Sequence, residues 1–368
     1  MMPYPIVLLL AIALFVLRRM LTSVRKTTPG DVGAILGHLG TDLEPHLQAR
    51  ARTNRNLESA LGVTSTFVSE DAGAHTEFIG MMVGFLSGAG TRWGRLVKVT
   101  ESGVTQFLPQ TTCDLAGFIR CVTFHVWVLG ILNPDDPANR QLLSEGHLTV
   151  EQLTNAFFKF SETSASVSPD QIRGALRQWI ADDNPVNLVF PMYEKLWRLV
   201  AATVLCTRKF PVSQNPLLDF CENPTERQFT TASRDGPNVE DIMNEVLRLH
   251  PPVQEISRQY GLARWLRGRV QVADIKAVQK FHEDGQVIDE PDGFKLERWT
   301  SGKKPVMFAF GKGALECPGR PWVPVLAAFI ASKVVESVDG VAFELVDHNV
   351  ETANYIWDGW SIRRSAGA

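Results

Sequence analysis

The chain has 368 residues, with 37 lysines and arginines against 40 aspartates and glutamates, for a net charge near −3. This balance excludes the basic stripe of a nucleic-acid binder. Apolar side chains make up 45% of the chain, ample for a large core in one unit or two.

Five cysteines, at 113, 121, 206, 221 and 317, are scattered and include no C-x-x-C. That pattern excludes a disulfide scaffold and a paired-cysteine zinc site, and the odd count fits a reducing compartment. Asn223-Pro224-Thr225 is blocked as a glycosylation sequon by its proline. The chain holds no G-x-S-x-G turn and no G-x-x-x-x-G-K-S/T loop, which disfavours a serine hydrolase or a nucleotide enzyme.

In chain order, residues 4–17 are almost wholly apolar and are followed by Arg18, Arg19, Arg25 and Lys26. The run is shorter than the ~20 residues that span a bilayer comfortably. Met20, Leu21 and Thr22 extend it if the arginines snorkel. The charges follow the apolar run, which favours an anchor over the rival reading, a cleaved signal peptide. It also leaves the rest of the chain on the cytosolic side. Residues 1–25 are therefore read as an N-terminal membrane anchor and 26–368 as the functional domain.

Residues 28–40 read as a linker entering the globular body, and 41–62 as a polar, Arg-rich helix. Residues 78–86 are apolar, with a break at Ser87-Gly88-Ala89-Gly90. Residues 114–132 are apolar but interrupted by Arg120 and His125, so they read as a buried core helix rather than a second span. His125 there reads as a core residue, not a ligand. Helices are expected over 148–160, 169–181 and 186–208. The best strand signals are 343–346 and 355–357.

Chemistry-bearing patterns gather in the last third. Phe310-Gly311-Lys312-Gly313-Ala314-Leu315-Glu316-Cys317-Pro318-Gly319 reads F-x-x-G-x-x-x-C-x-G. Gly311, Gly313 and Gly319 let a loop turn tightly and approach a flat ligand. Backbone N–H groups and a following helix start are expected to stabilise a thiolate at Cys317 and lower its pKa. Pro321 and Pro324 suit a first turn, and residues 326–335 read as a buried helix. Upstream, Glu245-Val246-Leu247-Arg248 places a carboxylate and a guanidinium on one helix face, and Pro251-Pro252 ends that helix. Between them lies Pro291-Asp292-Gly293-Phe294-Lys295-Leu296-Glu297-Arg298-Trp299.

These three motifs, in this order, resemble the cytochrome P-450 family of haem-thiolate proteins. The cysteine run resembles its haem-binding loop, the Glu245–Arg248 helix its E-x-x-R helix, and 291–299 its P-x-x-F-x-P-E-R-F/W segment, with Leu296 where Pro is usual. The resemblance implies a mainly α fold with small β-sheets, shortened before the distal helix. It implies haem b (iron-protoporphyrin IX), with Cys317 as axial ligand of the iron and Phe310 against the proximal face. It further implies a buried triad of Glu245, Arg248 and Arg298 behind the loop, and Arg258 at a haem propionate. Such a cluster fixes geometry rather than adding net stability.

Three departures stand out. Matching Tyr193-Glu194 to the family's A-G-x-D/E-T distal segment puts Pro191 at the Ala, Met192 at the Gly and Lys195 at the Thr. Met192 then fills the space that admits dioxygen. Lys195 replaces the proton-passing hydroxyl, its charge costly unless paired, with Glu194 the expected partner. Leu315 stands where a basic residue usually meets a propionate. The family's W-x-x-x-R is represented at best by Trp93-Gly94-Arg95 with Lys98.

The resemblance therefore implies a monooxygenase oxidising an apolar small molecule with dioxygen and electrons from NADPH–cytochrome P-450 reductase. It would be anchored in the endoplasmic-reticulum membrane and face the cytosol, with Glu194 and Lys195 as distal catalytic residues. Divergent members of this sort are common in fungal secondary metabolism. The alternatives are a haem-thiolate isomerase or dehydratase that does not activate dioxygen, and a catalytically degenerate relative.

Overall fold

The computed structural model describes residues 23–37, 42–89, 93–133, 149–159, 167–231, 237–263, 266–267, 269–300, 302–338, 342–350 and 354–365. The apolar run expected to anchor the chain lies outside the described residues.

The first described element is strand β1 (Val24–Lys26), which pairs in parallel with β6 (Gln271–Asp274). Residues 24 and 25 thus belong to the fold, and the expected boundary after residue 25 falls inside a strand. β3 (Glu255–Arg258) completes this sheet on the other side of β6, antiparallel, with Arg258 opposite Gln271. A short hairpin, β4 (Gly261–Ala263) with β5 (Leu266–Arg267), lies between them in sequence. A second sheet orders β2 (Thr112–Asp114), β8 (Trp360–Arg364) and β7 (Phe343–Asp347), all antiparallel.

Helices form the rest. They begin with α1 (Pro29–Gly37), α2 (Leu43–Leu61), α3 (Ala72–Ala89) and α4 (Trp93–Phe107). Residues 29–37 are thus a helix rather than the expected linker. Its buried Val32, Ile35 and Leu36 pack on Ala273 and Ile275, a tertiary contact that no local signal in the segment announces. α3 also runs through Ser87 and Gly88, past the expected break.

α5 (Leu115–His125) starts at Asp114, whose carboxylate accepts the Gly117 N–H at 2.6 Å. It continues without interruption into a π-helical stretch, Val126–Leu132. Residues 115–132 are long and apolar enough to cross a membrane, but Ile119, Val122, Phe124, Trp127 and Val128 are fully buried. This is the core helix the sequence implied. α6 (Val150–Phe158) and α7 (Pro169–Leu176) each begin with a capping box, Thr149 with Gln152 and Ser168 with Gln171.

The long helix α8 (Val186–Lys209) is buried on nearly every side from Leu196 on, and packs directly against α14 (Val323–Val338). Pro191 lies inside α8 and removes one rung of its hydrogen-bond ladder. Between these two helices in sequence come α9 (Gln214–Glu222), α10 (Glu226–Thr230), α11 (Val239–Leu249), α12 (Ile275–Val278) and α13 (Glu297–Thr300). Asn238 caps α11 by accepting the Asp241 N–H at 2.6 Å. Residues 355–357, expected as a strand, form a turn in which Tyr355 stacks flat on Trp357 at 4.8 Å. The apolar alternation there serves ring packing, not a sheet.

Candidate functional site

The run 308–323 folds as a loop that holds its cysteine at two points. The Cys317 N–H donates to the Phe310 carbonyl at 2.8 Å, and the Cys317 carbonyl accepts from Arg320 N–H at 3.3 Å. Between them Gly311 and Gly313 adopt φ of 75° and 73°, which only glycine takes without strain. Gly313 has a second reason to lack a side chain: a Cβ there would lie 3.2 Å from Cα of Gly37, at the end of α1. Gly319 accepts the N–H groups of Trp322 and Val323 through its carbonyl and so launches α14.

Burial pushes the Cys317 thiol up from its ordinary pKa; the Gly319 N–H opposes the rise and Glu316 adds to it. The expected lowering is therefore outweighed by desolvation. In the chain by itself the sulfur is a thiol, and loss of its proton accompanies metal binding.

Behind the loop stands the triad. Glu245 is fully buried and receives Nε and Nη2 of Arg248, both at 2.8 Å, and Nη1 of Arg298 at 2.7 Å. The two arginines also donate to the carbonyls of Asp289, Glu290, Pro291 and Gly293. These contacts fix the 289–299 segment against α11. Trp299, not foreseen as a site residue, donates its Nε1–H to Glu245 at 3.1 Å. Gln279, also unforeseen, has its amide bonded to the end of α11 and to Phe308.

Cations collect beside the loop. α2 packs against both the Gly313–Leu315 turn and β3. Arg50, on α2, is buried and donates to the Thr66 carbonyl and hydroxyl at 2.6 Å each, while its buried Nε has no hydrogen-bond partner. Burial, then Arg258, pull its pKa down to about 9. Burial lowers Arg258 as well. Among the described residues no carboxylate bonds to either guanidinium; Arg258 donates only to the neighbouring Ser257 carbonyl. His46, one turn before Arg50, has Nδ1 3.1 Å from the Tyr260 hydroxyl.

The role expected of Trp93 and Arg95 falls elsewhere. Trp93 packs edge-on to Phe329 of α14, and Arg95 donates to the carbonyls of Leu129 and Asn133, ending the π-helical stretch. His46 and Arg50 lie on α2, which packs against the loop turn. Their signal was legible as two basic residues one turn apart in an Arg-rich helix. Leu315 carries no charge; Lys312, on the loop itself, lies over the Phe308 ring, and Arg320 pairs with Glu316.

On α8 the expected distal residues separate onto two faces. The Glu194 carboxylate is buried and accepts from Trp197 Nε1 at 2.9 Å and from Arg198 Nε at 2.9 Å. Arg198 in turn lies over the Trp197 and Tyr355 rings. Glu194 therefore does not pair with Lys195 and is committed to packing on its own side. Met192 and Lys195, three apart, share the other face. Each keeps accessible surface while Tyr193, Glu194, Leu196 and Trp197 are buried. Burial lowers the Lys195 pKa, with Arg198 adding to this and Glu194 opposing. Lys195, Arg258 and Cys317 each keep some accessible surface.

A helical body with small sheets thus presents one cysteine on a glycine-shaped loop braced by an arginine–glutamate cluster. No family profile matches the chain, and no curated relative resembles it. Solved structures do. The P450DA haem domain superposes with a TM-score of 0.62 at 15% identity, covering 93% of this chain and 87% of that one. A six-coordinated cytochrome P450 from Thermus thermophilus gives 0.57 at 17%, covering 93% and 92%. P450BioI, solved with an acyl carrier protein bearing hexadec-9Z-enoic acid, gives 0.55 at 13%, covering 93% and 91%. The chain has the cytochrome P450 fold.

The residues present fit a haem. A porphyrin bearing an iron and two carboxylates needs a thiol on one side and buried cations at its edge. Cys317 supplies the first. Arg50, with its orphaned Nε, and Arg258, with no carboxylate, supply the second. A buried guanidinium without an anion is costly, and a dicarboxylate ligand removes that cost.

Proposed function

We propose that the chain is a haem-thiolate monooxygenase that oxidises an apolar small molecule with dioxygen and two electrons from NADPH. The observation that carries this reading is the braced Cys317 loop together with a buried and a half-buried arginine, Arg50 and Arg258, to which no described carboxylate bonds. A haem b held by Cys317 would supply the reductive activation of dioxygen.

In this reading Cys317 Sγ holds the iron, and Phe310, Gly311, Gly313 and Gly319 shape the seat. Arg50 and Arg258 bind the haem carboxylates. Glu245, Arg248 and Arg298 keep the seat in place. Lys195 carries a proton at Nζ on the distal side, released more readily than from an ordinary lysine because burial disfavours its charge. Glu194 is a positioning residue through Trp197 and Arg198.

NADPH–cytochrome P-450 reductase is the electron donor in this reading. The N-terminal segment tethers the chain to the endoplasmic-reticulum membrane in this reading, supported by the apolar run at 4–17 followed by arginines. A fungal secondary-metabolite intermediate is the class of substrate.

The test is the carbon-monoxide difference spectrum of the reduced protein, wild type beside Cys317→Ala. A strongly red-shifted Soret band, lost in the variant, is the expected result. No haem signal from folded wild-type protein leaves a degenerate relative instead.

A second reading, an isomerase or dehydratase that does not activate dioxygen, is favoured by Met192 and Lys195 at the distal positions. Turnover that persists without NADPH and reductase supports it.

A further inference from the structure

A cavity lies on the triad side of the cysteine loop. It holds about 270 Å³ between α10, α11, α13 and the turn that launches α14. That is near the lower end of small-molecule sites. Its wall is apolar and aromatic, built from Phe229, Trp299, Met307, Phe310, Pro321 and Pro324.

Two of these residues are held at the wall by hydrogen bonds. The Trp299 Nε1–H donates to Glu245 at 3.1 Å, and the Phe310 carbonyl accepts the Cys317 N–H at 2.8 Å. Phe229 and Pro324 are buried behind them. A wall fixed in this way loses little freedom when a ligand arrives.

The rim sets the charge of the occupant. Glu240, Glu283, Lys304 and Arg320 stand there, all exposed. Arg320 is paired with Glu316 at 2.5 Å. Lys304 acts on Asp241, next to Glu240 in the chain, where it offsets part of the pKa rise that burial causes. Among the described residues, neither Glu240 nor Glu283 is in an ion pair. The half-buried Asn244 adds an amide to the lining. Aromatic rings beneath unpaired carboxylates attract an organic cation twice, through the rim charges and through the ring quadrupoles.

We propose that this cavity binds a small organic cation, an ammonium group on an apolar body. The charge sits at Glu240 and Glu283, and the body lies against Trp299 and Phe310. The site goes beyond the reading above and does not depend on haem. Because Phe310 also holds the Cys317 N–H, an occupant touches the partner of the thiol-bearing residue.

The test is calorimetric titration of the full chain with benzyltrimethylammonium, beside benzylsulfonate as an anion of similar shape. A quaternary ammonium has no lone pair to offer an iron, so its binding is not ligation of a haem. Wild type is compared with Glu240→Gln/Glu283→Gln and with Glu283→Lys, whose side chains replace exposed carboxylates; thermal melts confirm the fold. The expected result is saturable binding of the cation, weakened roughly fivefold in the double variant. The charge reversal at Glu283 should weaken it as well, and the sulfonate should not bind. The indole N–H resonance of Trp299, assigned as the one lost in Trp299→Phe, should move with the same midpoint. Absence of saturable binding at millimolar cation overturns the proposal. Equal affinity in wild type and both carboxylate variants, or a fixed Trp299 resonance, overturns it by placing the binding elsewhere. Tighter binding of the sulfonate overturns it by assigning the cavity to anions. Each of these leaves the haem reading to its own carbon-monoxide spectrum.

Discussion

Gln279 holds Phe308. The side-chain Oε1 of Gln279 accepts the Phe308 N–H at 3.2 Å, while its Nε2 donates to the carbonyls of Leu247 and Arg248, both at 2.9 Å. A fully buried amide thus ties the end of the helix carrying Glu245 and Arg248 to the entry of the cysteine loop. The triad sets the helix and the 289–299 segment, and Gln279 transmits that placement to the loop.

Replacing Gln279 with Leu leaves two carbonyls and one N–H buried without their partner. The expected loss of stability is about 2–3 kcal/mol, read as a lowered urea midpoint. The loop should loosen as well, so the fraction of reduced protein showing a thiolate-type carbonyl band should fall. A variant with wild-type midpoint and spectrum would show that the amide is not a brace.

Arg258 separates haem binding from folding. Its charge is partly buried with only a neighbouring carbonyl as hydrogen-bond partner, so Arg258→Leu should leave the haem-free chain as stable as wild type or more so. Haem affinity should fall by about tenfold, which is ~1.4 kcal/mol. Thermal melts of the haem-free protein and haemin titration measure the two effects. Unchanged haem affinity would remove Arg258 from the carboxylate site.

His125 makes stability depend on pH. It is 1% exposed, its ring packs against Phe107, and burial lowers its pKa from 6.5 to about 4. The unfolded chain therefore binds the extra proton first as pH falls. Stability from this residue is undiminished above pH 6.5 and declines through the window from 6.5 to 4, by up to about 3 kcal/mol. His250, also lowered to about 4, acts in the same sense. Denaturant unfolding across that window should show a shallower slope in His125→Leu than in wild type. Equal slopes would show that His125 does not titrate on unfolding.

The sequence by itself determined the cysteine loop, the triad, the buried 115–132 helix and the long distal helix. Each is a local pattern: spacing within ten residues, a helix face, or an unbroken apolar run. Glu245 and Arg248 were legible as an i, i+3 pair on one helix face, and Arg298 joined them only through the resemblance of its segment to the family's motif. What only the tertiary structure decided depends on which elements meet. Arg50 and His46 lie far from Cys317 in sequence, and only tertiary packing lays their helix α2 against the loop turn and β3. The helical character of residues 29–37 comes from burial against β6 and α12 rather than from propensity. Pairing of Lys195 with Glu194 was a reasonable expectation for adjacent charges. Adjacent helical residues point to different sides, however, and Glu194 finds Trp197 and Arg198 one turn on. The same geometry turns Met192 toward Gly319, a contact between distant elements that no spacing in the chain records.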